Sequence, residues 1–335
     1  MGRRDVAVGM LAVAVLVAGG SPAAAQFGPA PQIDLSGNWS PLMHEDWQER
    51  APGPEAVDLL GMPVSDEART RALTYTSSSL SLPERQCLYY PPHYLVMGPF
   101  GFSFWSDTDP VTGEVIAWHI SPAVDRAAHT IWMDGRPRPP EGALHTFAGF
   151  TTGEWRGRNT LRTVTTHVKE GYFRRNGVPS SDRAILTMEF TRYGDLLTVT
   201  AFMEDPVYLT EPWVISRTWR LDPNANINRV AFPCVPQAEL PGLVGDGDVP
   251  HYLPGENLAV LDLTNGYNIP VVAVMGGAET MYPEYRDGLR EAFELPDGDC
   301  ERYCCGWEGG GPEIDIFRGP LTCTARTTPQ SIPLP

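Results

Sequence analysis

The chain has 335 residues, with 25 Lys and Arg against 41 Asp and Glu, a net charge of −16. A surface this acidic repels phosphate backbones and anionic headgroups, which removes nucleic acid and membrane surfaces from the favoured partners. With 42% hydrophobic residues, nine Trp, twelve Tyr and twelve Phe, the chain can fill a core. Its length suits one large β domain with an appendage, or two domains.

The N-terminus reads as a secretory signal peptide over residues 1–25. Arg3 and Arg4 precede an apolar stretch, Val6 to Gly20, and Ala23-Ala24-Ala25 supplies a small-residue cleavage pattern. The stretch is shorter than the about 20 residues that a spanning helix needs. Cleavage removes two Arg and one Asp and leaves the chain more negative still. The expected location is the periplasm or outside the cell, with no membrane insertion after signal removal.

From Gln26 to about residue 225 the pattern is short strands and tight turns. Ser65 caps a helix predicted over Asp66–Thr76. Strands are predicted near Trp39 and over Tyr94–Met97, Phe100–Trp105, Val115–Ile120, His129–Met133, Phe147–Trp155, Leu161–Val168, Ala184–Tyr193, Leu196–Glu204 and Trp213–Leu221. Folding about Gly194-Asp195 sets Phe190, Met188 and Leu186 opposite Val199, Ala201 and Met203, apolar against apolar. A second hairpin is expected at Gly157-Arg158. Successive hairpins with one apolar face predict a mainly β fold, an antiparallel up-and-down barrel over residues 26–225 whose closure removes its edges.

Residues 226–335 read as a C-terminal extension. A small βα unit is expected over 269–293, with Ile269–Met275 as strand, Gly276-Gly277 as turn and Tyr282–Phe293 as helix. Residues 295–335 form a Cys- and Gly-rich tail. Cys87, Cys234, Cys300, Cys304, Cys305 and Cys323 make an even set, which in an oxidising compartment implies disulfides. Their connectivity is open, and Cys87 with Cys234 is the pairing we expect. Cys300, Cys304, Cys305 and Cys323 lack paired C-x-x-C spacing and a nearby histidine, so zinc is not expected there, and no metal centre or cofactor is expected elsewhere.

Leu35-Ser36-Gly37-Asn38-Trp39 resembles the Gly-x-Trp opening of lipocalin barrels. The likeness implies a cation from the last strand over Trp39, Arg217 or Arg220 here. The family's Thr-Asp-x-x-Tyr motif is not matched, since Thr112 stands where Tyr should. Several runs resemble a large group of exported bacterial proteins with no assigned activity. They are Ile131–Pro137, Gly153–Gly157, Thr160–His167, Arg174–Pro179, Asp205–Pro212 and Gly277–Pro283. That resemblance implies a shared fold and no chemistry.

Three functional readings follow. The first is a barrel that binds a small apolar or aromatic ligand, with Phe102, Phe104, Trp118 and Trp132 as walls and Arg174 or Arg217 as polar anchor. The second is an acid–base enzyme, a lyase, isomerase or hydrolase, using His44, Asp46 and His167 at the barrel mouth. The third is an interaction scaffold built on the C-terminal extension. Further candidates are His119 and His145 near strand ends, an Asp134–Arg136 clamp, and Asp107, Asp109 and Glu114 as calcium ligands.

Overall fold

The computed structural model describes residues 32–42, 57–75, 86–88, 90–98, 100–122, 128–225, 235–236, 253–257, 260 and 270–292. The expected signal peptide, His44, Asp46, the five cysteines after Cys87 and the tail lie outside these residues.

Nine strands close into a barrel: β1 (Gly37–Pro41), β2 (Phe102–Thr108), β3 (Val115–Pro122), β4 (His129–Trp132), β5 (Phe150–Trp155), β6 (Thr160–Thr166), β9 (Ile185–Tyr193), β10 (Leu196–Glu204) and β11 (Trp213–Leu221). Each pairs with its neighbour in chain order, and β11 returns to β1. A two-stranded hairpin, β7 (Gly171–Tyr172) with β8 (Pro179–Ser180), sits between β6 and β9 in sequence and outside the barrel. The barrel is mixed rather than purely antiparallel. β4 and β5 run parallel, Ile131 beside Thr151, because residues 133–149 return the chain to the end where β4 began.

The β9–β10 hairpin has the register that its alternation dictates, with Phe190 opposite Val199, Met188 opposite Ala201 and Leu186 opposite Met203. Gly194 takes φ +59° at the first turn position, where a side chain would be strained.

Both ends of the barrel are covered. At one end residues 32–36 cross the hairpin tips, tied by Ile33 N–H to the Arg158 carbonyl at 2.8 Å. There Trp39 is fully buried, and its Nε1–H donates to the Leu35 carbonyl at 3.0 Å. The cation over its ring is Arg192 of β9, 5.1 Å from the centroid, and not Arg217 or Arg220. At the other end lies a 3-10 helix, Pro92–Val96, entirely buried and packed on β9, β10 and β11. Tyr94–Met97 reads as a strand by its apolar content. Pro91-Pro92 ahead of it fixes φ near its helical value and starts a turn instead.

α1 (Asp66–Ala72) begins at Ser65, whose hydroxyl accepts from Ala68 N–H at 3.2 Å. The extension has no strand over 271–274, where the chain makes one helical turn, α2 (Val271–Val274), followed by α3 (Pro283–Ala292). This part packs on α1. Val271 and Met275 share a buried cluster with Val57, Leu73 and Val260, and Asn257 Nδ2 donates to the Leu73 and Tyr75 carbonyls.

Candidate functional site

The barrel interior is filled by its own rings. Phe102 meets Trp219 edge-on at 5.3 Å, and Phe104 meets Trp118 at 5.2 Å and Phe190 at 5.5 Å. Phe102, Phe104 and Trp118 are each at most 3% exposed. A hollow lined by these side chains is therefore not what their packing makes; they are core. Strand alternation puts Trp132 on the opposite face from Trp118, since Trp118 pairs with Ile131 and Trp132 with Ala117. Trp132 faces outward and carries the Arg136 guanidinium 3.4 Å from its ring centroid. The Asp134 carboxylate holds that guanidinium at 2.5 Å, and the hydrogen bond and charge of Arg136 keep the Asp134 carboxyl below its ordinary range. Asp134 and Arg136 thus engage each other on the outer surface.

Arg174 and Arg217 are both buried. Arg174 lies 5.6 Å from the Trp213 ring, and Arg217 Nη1 donates to the Ser216 carbonyl at 2.8 Å.

His167 leaves the strand that its sequence spacing extends. Leu161, Thr163 and Thr165 point into the core, but His167 takes φ +58° and turns out of β6. Its Nε2–H donates to the Pro140 carbonyl at 3.0 Å, Nδ1 meets Thr166 Oγ1 at 2.8 Å, and its ring lies 5.1 Å from that of His145. Its proposed partners His44 and Asp46 lie outside the described residues. Asp109 closes its own turn, accepting from Val111 and Thr112 N–H at 2.7 and 2.9 Å, and those bonds lower its carboxyl pKa. Among the described residues no group of three or more His, Cys, Asp or Glu is placed to hold a metal ion, and no cysteine is a free thiol. No helix among them is long and apolar enough to cross a membrane.

Three distant sequence segments gather around α1. Val57 N–H donates to the Asn176 carbonyl and Asn176 Nδ2 to the Asp58 carbonyl. Val64 bridges to Leu209, and Ser65 N–H donates to the Tyr208 carbonyl. Arg69 donates to the Met275 carbonyl and pairs with Glu279 at 3.3 Å. The runs Arg174–Pro179, Asp205–Pro212 and Gly277–Pro283 are therefore the segments that seat one helix against the barrel.

Beside that helix lies an open pocket of about 310 Å³. Leu88, Phe147, Tyr172 and Pro179 make its apolar wall, and Arg71, Thr74 and Glu170 its polar end. Arg71 Nη1 reaches Glu170 Oε1 at 2.6 Å and also donates to the Tyr208 hydroxyl, which lies 3.4 Å from the same carboxylate. Burial works against the Arg71 charge, but Glu170 and Tyr208 outweigh it and raise its pKa. Burial raises the Tyr208 phenol above its ordinary range, Arg71 opposing and Glu170 adding to it. This corner therefore sets the Arg71 guanidinium beside the Glu170 carboxylate and the Tyr208 hydroxyl. None of these side chains stands out in the sequence as a site, because Arg71 and Glu170 are 99 positions apart and meet only through the docking of α1.

Comparison of the chain with protein-family profiles, with curated proteins and with solved structures finds no match.

Proposed function

We propose that this chain is an exported small-molecule-binding protein. Its ligand carries an apolar or aromatic body and one acidic or hydroxyl group, and sits outside the barrel in the pocket beside α1. One observation carries the reading. Phe102, Phe104 and Trp118 are buried in the barrel core, whereas an open pocket of about 310 Å³ lies beside α1, with one apolar wall and the Arg71 corner at its end. That volume is at the lower end of the range for small-molecule sites, about 300–1,000 Å³. Phe147 and Tyr172 would hold a ring, and the Arg71 guanidinium would take the acidic or hydroxyl oxygen.

Native mass spectrometry of the purified protein and displacement of a fluorescent hydrophobic probe test this. A co-purifying mass or a displaceable probe is expected. Thr74→Trp, which plugs the pocket, should abolish both, and Phe102→Leu inside the barrel should leave them. No retained mass and no displaceable probe, or a Thr74→Trp chain that binds like wild type, overturns the reading.

Export and cross-linking belong to the same reading. The N-terminal sequence of the secreted protein should begin at Gln26. Alkylation of denatured protein before and after reduction should show all six thiols only after reduction, with a Cys87–Cys234 peptide among the non-reduced fragments.

A further inference from the structure

A second surface of the barrel is ordered without serving the core. Alternation turns Trp105 and Asp107 of β2, His119 of β3 and Thr130 of β4 outward, and the register sets Trp105, His119 and Thr130 in one row across three strands. The His119 imidazole is fixed at both nitrogens, Nε2 by Asp107 Oδ2 at 2.8 Å and Nδ1 by Thr130 Oγ1 at 3.1 Å. Trp105 stacks on this clamped ring, 5.3 Å between centroids and 21° between planes. On its far side β1 has already ended, since the last β1–β2 pair is Gly37 with Phe104. Among the described residues no strand lies alongside Trp105 there, and the residue is 42% exposed. The Asp107 side chain is 59% exposed, and its second oxygen, Oδ1, has no hydrogen-bond partner among the described residues.

An indole held in one orientation, open on one side, with a carboxylate oxygen beside it, suits one class of ligand. A sugar ring offers an apolar C–H face and a rim of hydroxyl donors. The C–H face stacks on the indole, and a hydroxyl donates to the carboxylate. The net charge of −16 disfavours a polyanion, so the sugar is neutral. We propose that Trp105, Asp107 and the His119 clamp form a platform for a pyranose unit of a neutral glycan. Trp105 is the stacking residue, Asp107 the hydroxyl acceptor, and His119 and Thr130 are positioning residues.

Affinity electrophoresis in gels containing laminarin, soluble starch, galactomannan or xylan tests this with the whole chain. At least one gel should retard the wild type, and the corresponding oligosaccharide should quench Trp emission. Trp105→Ala and Asp107→Asn should each weaken binding about tenfold, the equivalent of about 1.4 kcal/mol. Trp105→Tyr keeps a stacking ring and should retain part of the retardation. Tyr193→Ala, exposed on the β9–β10 hairpin tip, should behave as wild type. The platform is separate from the pocket beside α1, so Thr74→Trp should leave retardation intact. Absence of retardation in every gel, undiminished binding by Trp105→Ala, or equal loss in Tyr193→Ala overturns the proposal.

Discussion

The Arg192 guanidinium lies over the Trp39 indole, 5.1 Å from the ring centroid, and donates from Nε to the Gly194 carbonyl and from Nη1 to that of Asp34. One side chain thus ties three features at the closed end: the incoming segment, the first strand and the β9–β10 turn. A cation on an indole face contributes about 0.5–2 kcal/mol, and the two carbonyl bonds add to it. Arg192→Ala should cost about 2 kcal/mol in urea denaturation, and Arg192→Lys should restore only part, because an ammonium lacks the planar fork. Arg220 is exposed, so Arg220→Ala should fall within about 0.5 kcal/mol of wild type. Equal effects at both positions would contradict the assignment of Arg192 as the capping cation.

His93 gives the fold an acid limit. Its ring is buried in the 3-10 helix against Phe173, and Nε2–H donates to the Phe173 carbonyl at 3.2 Å. Burial lowers its pKa from 6.5 to about 4, and the backbone bonds to Tyr172 and Phe173 offset only part of that. The native state therefore stays neutral where the unfolded chain already binds a proton. Stability from this group is complete above about pH 6.5 and is lost as the pH falls toward 4, in total about 3 kcal/mol. His93→Gln should be less stable than wild type at pH 7.5, with a difference that narrows by about 2–3 kcal/mol at pH 4.5. Parallel urea midpoints for the two proteins across that range would refute it.

Asp205 organises the loop that carries Tyr208 toward the pocket. Its buried carboxylate accepts from Ser181 N–H at 2.6 Å, Ser181 O–H at 2.8 Å, Val207 N–H at 2.9 Å and Tyr208 N–H at 3.1 Å. Asp205→Asn keeps the shape but turns an NH₂ toward at least one of these donors. The expected loss is about 2–4 kcal/mol, because a buried donor is left without an acceptor. Faster amide hydrogen exchange at Ser181, Val207 and Tyr208 should accompany it. Unchanged protection of all three amides would show that the carboxylate does not hold the loop.

How far the sequence reveals this fold depends on the distance over which the deciding contacts act. The β9–β10 register is legible because two residues of turn connect two alternating runs, and a one-residue slip would bury threonines. The 3-10 helix is marked by Pro91-Pro92, which outweighs the apolar content of Tyr94–Met97. The parallel β4–β5 pair depends on where residues 133–149 return the chain, which no local period encodes. Arg192 rather than Arg217 covers Trp39 for a similar reason: the cap is set by which strand tip faces residues 32–36 in the closed barrel. Trp105 and His119, in contrast, could be aligned from the short turn between β2 and β3. The Arg71–Glu170 pair could not, because it forms only after α1 docks.

Gly177 decides whether that docking is possible. It has φ +93°, and a Cβ there would lie 2.7 Å from Tyr75 Cγ and 3.2 Å from the Ala72 carbonyl oxygen. Gly157 has φ +78° with nothing within 4 Å of its would-be Cβ, so it isolates the backbone term. Gly157→Ala should cost about 1–2 kcal/mol, the left-handed penalty alone. Gly177→Ala should cost about 2–4 kcal/mol, since overpacking adds to that penalty. The two also differ in kind. Gly177 lines the pocket beside α1, and its added methyl pushes Tyr75 and the end of the helix away from the β7–β8 hairpin. Probe binding at temperatures where both variants remain folded should fall in Gly177→Ala and persist in Gly157→Ala. Equal stability losses with intact binding in both would mean that the contact with Tyr75 relaxes without moving α1.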